Sequence, residues 1–135
     1  MTLDVESFFI LAGAAQASIL VASALVPFQL DWKKELGGLS RLHRQMYWTY
    51  GGYVVLAIVA FAVIEIAAAA ELAVPSRLAR FVSAYIAVFW GVRFALQFVF
   101  DAQSHLTTWW LRLGYRLLSI LFLVLAIFHA WAALR

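Results

Sequence analysis

Cysteine is absent from this 135-residue chain, and charge is scarce. Without cysteine there is no disulfide framework, no thiolate metal site and no cysteine nucleophile. Only 13% of the residues are charged and 66% are hydrophobic, where soluble domains run at about 25% and about 45–50%. A water-soluble domain of this length could not hide so much apolar surface, whereas a bilayer can. Proline occurs only as Pro27 and Pro75, both of which read as helix breaks. The net charge of +3 includes no basic block, which argues against nucleic-acid binding. Glu-x-x-His pairs, a Ser-His-Asp set and a Gly-rich phosphate loop are also missing, so no metal site is expected and no cofactor is named.

Four long apolar runs are present instead, each near the ~20 residues that cross a bilayer as a helix. They cover about 7–26, 47–70, 81–100 and 113–134. Backbone groups in lipid must be satisfied within the segment, so these runs predict helices rather than strands. The expected fold class is all-α: a single transmembrane domain forming an antiparallel bundle of four helices. Ala22, Ser23 and Ala24 resemble a signal-peptidase site. Asp4 and Glu6 stand where a basic leader would be, however, and the run is long enough to span, so the first segment is read as a retained helix.

Orientation follows from the loop cations. Lys33, Lys34, Arg41, Arg44, Arg112 and Arg116 lie on one side, against Arg77, Arg80 and Arg135 on the other. Six against three predicts a cell-membrane protein with the first and third connectors in the cytoplasm and both termini outside. Trp32, Tyr47, Trp48, Trp109, Trp110 and Trp131 fall where interfacial aromatic belts are expected.

Ionisable residues inside a span are costly and mark function by default. Arg93, Gln97 and Asp101 recur at i, i+4 and i+8, which places them on one helical face together with Ile86 and Trp90. Tyr50 and Tyr53 on the second helix, and Arg116 and Ser119 on the fourth, lie at similar depth; Tyr115 is near in sequence on another face. The pattern predicts a cationic, aromatic-lined pocket for an amphiphile such as a lipid, an isoprenoid phosphate or a quinone. Arginine suits its phosphate or carboxylate because it binds bidentately. The competing structural reading has Arg93 snorkelling to the interface or pairing with Asp101.

Glu65 and His129 share a depth near the opposite end and form a candidate proton-relay pair. The plainer reading is an interfacial Glu65 tilted toward water beside a hydrogen-bonded His129. Two histidines, His105 and His129, fall on opposite faces, which excludes bis-His haem ligation. On helix one, Ala14, Ser18 and Ala22 form a small-residue stripe suited to close helix packing, with Gly13 and Ala17 beside it. Gly51, Gly52 and Gly91 read the same way.

Arg41-Leu42-His43-Arg44 entering helix two, and Arg93 within helix three, resemble the arginine placement of the membrane-associated proteins in eicosanoid and glutathione metabolism (MAPEG). That resemblance implies a trimeric four-helix enzyme acting on glutathione or a lipid; read from the residues, a membrane enzyme would use Tyr50 or Tyr53 as proton donor and Arg93 as oxyanion or thiolate stabiliser. The chain departs from the family at Trp48 and Gly51, where the family carries the Asn and Glu needed to hold glutathione. Other classes compatible with the sequence are an oligomeric proton-coupled transporter or channel and an accessory scaffold subunit. Expected partners are membrane lipids and either further copies of the chain or a larger membrane complex.

Overall fold

A computed structural model describes residues 4–100 and 106–135. Among the described residues, six α-helices and one short 3-10 turn follow in order: α1 (Val5–Gln29), α2 (Trp32–Glu35), the turn Leu36–Gly38, α3 (Arg41–Ala67), α4 (Ala69–Ala73), α5 (Arg77–Val99) and α6 (Trp109–Leu134). Among the described residues there is no strand. α1, α3, α5 and α6 are each long and apolar enough to cross a membrane, so the chain is a multi-pass, all-α membrane protein of the four-helix class.

Local chemistry sets the helix ends. At α1 the Ser7 amide donates to the Asp4 carboxylate at 2.9 Å, satisfying one of the free N–H groups of the first turn. Ser76 does the same for α5, accepting from the Ala79 amide at 3.1 Å directly after Pro75. Pro27 was expected to end the first helix, yet α1 continues to Gln29. A proline so near the C-terminus lacks only one helical donor, and the helix continues past it with Leu30 N–H donating to Val26. The reversal comes instead at Asp31, whose φ of 52° and ψ of 58° lie in the left-handed region that Asp tolerates better than most residues. α3, α5 and α6 each begin four to six residues earlier than hydropathy alone suggests, because polar and interfacial residues extend the helices beyond the apolar runs.

The chain divides into two compact units. The first comprises Ile10–Ala67. Within it the buried face of α1 is Ala12, Gly13, Gln16 and Ile19, which recurs at helical spacing, and α3 contributes Ile58, Phe61, Ala62 and Glu65. Of the expected stripe Ala14, Ser18 and Ala22, the first two are exposed and Ala22 is half-buried. Gly13 is the residue that lets the two helices approach: a Cβ there would lie 2.7 Å from Ile66 Cγ1 and 3.1 Å from the Ala62 carbonyl oxygen.

The second unit comprises Met1–Phe9 and Ala68–Arg135. Phe9, Ala69, Leu72, Ala79 and Ala132 form its core at one end, with Val5, Val82 and Phe128 packed against them. Arg135 donates to the Ala73 carbonyl at 2.6 Å and lies over the Trp131 ring, tying the end of α6 to the end of α4. α5 and α6 pack side by side through Ser83, Ile86 and Trp90 on one helix and Phe122, Leu125 and His129 on the other, all buried.

Candidate functional site

Helical spacing places Ile86, Trp90, Arg93 and Gln97 on the same side of α5. Trp90 is fully buried and stacks on Phe122 of α6, with ring centroids 5.2 Å apart and planes 23° apart. One turn further along, the Arg93 guanidinium carbon lies 5.7 Å from the same Phe122 ring. That is within cation–π range, and a desolvated site strengthens the attraction. The Arg93 Nε is buried and has no hydrogen-bond partner among the described residues.

Gln97 is tied down differently. Its Nε2 donates to Ser119 Oγ at 2.7 Å and reaches the Tyr115 carbonyl at 3.4 Å. Tyr115 O–H donates back to the Gln97 carbonyl at 2.5 Å, and Ser119 O–H donates to the Tyr115 carbonyl at 3.0 Å. The four contacts form a closed interhelical polar cluster of the kind that holds membrane helices together. Arg93, one turn away, is left out of it. Beside Arg93, the outer surface of α5 carries a shallow hollow of about 260 Å³ lined by Tyr85, Val88, Phe89 and Val92.

The other expected site residues fall as follows. Arg116 is exposed, one position around the helix from Tyr115, and takes no part in the cluster. Tyr50 and Tyr53 are exposed positions on α3 in the other unit. Asp101, which would complete the stripe, lies outside the described residues, as does His105. Phe122 did not stand out in the sequence; its place opposite Trp90 and Arg93 could have been read only from the i, i+4, i+7 relation of Tyr115, Ser119 and Phe122 to a known facing helix.

Glu65 is fully buried rather than tilted toward water. Its Oε2 accepts from Gln16 Nε2, which also donates to the Ala12 carbonyl at 3.2 Å. Gln16 thus hydrogen-bonds the buried carboxylate across the first unit, a role its sequence position did not disclose. His129 is likewise fully buried, in the second unit. Its Nδ1 lies 2.6 Å from the Leu125 carbonyl, and since only a donor can face a carbonyl, Nδ1 carries a proton. Phe9 and Phe128 pack edge-on against the imidazole at 6.2 and 5.1 Å between ring centroids.

Comparison with protein-family models, with curated proteins and with solved structures finds no match. The site therefore has to be read from its own chemistry.

Proposed function

We propose that this membrane protein binds an anionic or polar amphiphile against α5, with Arg93 as the head-group contact. The observation that carries the reading is the buried Arg93 Nε without a hydrogen-bond partner among the described residues, next to a polar cluster whose own members satisfy one another. An unmet donor on a buried charged group costs more than a neutral one, and an arginine within a membrane span is costly in itself. A phosphate, carboxylate or quinone oxygen would relieve that cost. The hollow of Tyr85, Val88, Phe89 and Val92 offers an apolar bed for the attached chain. The loop-cation bias supports both termini lying outside the cell, which puts Arg93 in the cytoplasmic half of the membrane.

The test is native mass spectrometry of mildly solubilised protein, with wild type, Arg93→Leu and Arg93→Lys compared. A stoichiometric ligand retained by wild type, weakened in Arg93→Lys and lost in Arg93→Leu is expected, with helical circular dichroism unchanged. Equal retention in a folded Arg93→Leu would sink the assignment.

A second reading, proton-coupled transport, is favoured by two fully buried ionisable side chains, Glu65 and His129, in membrane-length helices. Proton flux into liposomes should then fall in both Glu65→Gln and His129→Gln; unchanged flux in both rejects it.

A further inference from the structure

A second hollow lies elsewhere, in the first unit, where α1 ends and α3 begins. It measures about 630 Å³, within the range of small-molecule sites. Phe28, Trp32, Leu36 and Trp48 supply apolar walls, while Lys33 and Arg44 bring cations to its edge with Asp31 beside them. We propose that this hollow is a binding site for the head group of an anionic phospholipid, with Lys33 and Arg44 contacting its phosphate.

Three observations converge. The first is place. The hollow sits at the ends of two membrane-length helices, the level at which hydrocarbon gives way to head groups. The Trp32 ring meets Tyr47 at 4.6 Å and Trp48 at 5.0 Å, both edge-on, giving an aromatic cluster of the type that anchors at that boundary.

The second is charge. Lys33, Lys34, Arg41 and Arg44 face only Asp31 and Glu35 in this stretch, leaving a net charge of +2 (four cations less two carboxylates). Among the described residues, neither Lys33 nor Arg44 gives a side-chain hydrogen bond to the protein, although Arg44 is half-buried. Both are thus available to an outside anion. A basic patch at a membrane surface gains roughly 1 kcal/mol per cation from anionic lipid.

The third is construction. Asp31 turns the chain sharply through its left-handed backbone, and Trp32 then lies over Gly51 of α3. A Cβ on Gly51 would stand 3.4 Å from Trp32 Cη2, an ordinary van der Waals contact, so the ring that walls the hollow lies close against α3. Mixed walls of ring and cation suit a phosphate joined to the top of an acyl chain better than a free soluble anion.

The test uses the full chain in nanodiscs of phosphatidylcholine, with or without a minority of phosphatidylglycerol, and counts retained lipids by native mass spectrometry. Wild type is expected to hold phosphatidylglycerol in preference to phosphatidylcholine. Lys33→Gln and Arg44→Gln should each cut that preference roughly fivefold, with Arg44→Lys largely restoring it. Lys33 is exposed, so its variant tests the site even if Arg44→Gln does not fold. Equal retention of the two lipids by wild type, or undiminished preference in folded variants, overturns the proposal. Displacement of the lipid by millimolar inorganic phosphate would assign the site to a soluble anion and overturn it as well. The share of the preference that Lys33→Gln and Arg44→Gln remove should be the same in wild-type and Arg93→Leu backgrounds, so this site and the Arg93 site stand or fall separately.

Discussion

Two glycines on neighbouring helices allow a sharp test of how the first unit is held together. Gly13 of α1 and Gly52 of α3 both lie inside helices, where alanine is intrinsically favoured over glycine by about 1 kcal/mol. At Gly52 an added Cβ meets nothing within 4 Å, so Gly52→Ala should keep that gain and stabilise modestly. At Gly13 the same methyl would stand 2.7 Å from Ile66 Cγ1, 3.1 Å from the Ala62 carbonyl oxygen and 3.3 Å from Glu65 Cβ. Ile66 is half-exposed and can swing away, but the Ala62 carbonyl belongs to the helix backbone and cannot. Separating α1 from α3 instead would pull Gln16, one turn along from Gly13, away from Glu65. Overpacking of this kind costs about 1–3 kcal/mol, which outweighs or at least cancels the propensity gain. Gly13→Ala should therefore end about 1 kcal/mol or more less stable than Gly52→Ala. Titration of mixed micelles with dodecyl sulfate, followed by far-ultraviolet circular dichroism, measures the difference. Equal stabilisation by the two substitutions would refute the close approach of α1 and α3 at Gly13.

The Gln16–Glu65 hydrogen bond predicts a double-mutant coupling of about 0.5–2 kcal/mol between Gln16→Leu and Glu65→Leu in the same titration, and strict additivity would show that the pair does not interact. Tyr115→Phe removes one bond of the α5–α6 polar cluster and should cost about 1 kcal/mol, with Gln97→Leu costing more because Ser119 Oγ and the Tyr115 carbonyl both lose the donor that the Gln97 amide supplies. Equal and negligible losses would remove the cluster from the account of helix pairing. Asp4 is held below its ordinary pKa by the hydrogen bonds it accepts from the Ser7 backbone and side chain. Its contribution to the α1 cap is therefore present above the unfolded-state value and lost as pH falls through the lower native one. Protection of the Ser7 amide, measured relative to its intrinsic exchange rate, should fall as the pH drops below the ordinary carboxylate range in wild type, and an Asp4→Ala variant should show no such step.

Much of this protein was legible as a string. The scarcity of charge and the four apolar runs dictate a membrane solvent, and in that solvent only helices satisfy these segments internally. The α5 stripe was legible for the same reason: residues on a single helix share a face by spacing alone, so Trp90, Arg93 and Gln97 could be grouped without a partner helix. What spacing could not supply is the facing register. Gln16 gains its partner only where α1 meets α3, and Glu65 looked interfacial because its distance along the helix said nothing of the side chain opposite. The small-residue stripe of Ala14, Ser18 and Ala22 was the obvious packing face of α1, yet the face through Gly13 and Gln16 packs, since a buried carboxylate needs a donor more than a smooth surface needs a neighbour. Phe122 likewise gained its meaning only when α6 laid it against Trp90 and Arg93. Composition determined the solvent and the secondary structure through transfer energies summed over many residues. The identity of each polar partner depended on single contacts between helices distant in sequence, and those only the tertiary structure decided.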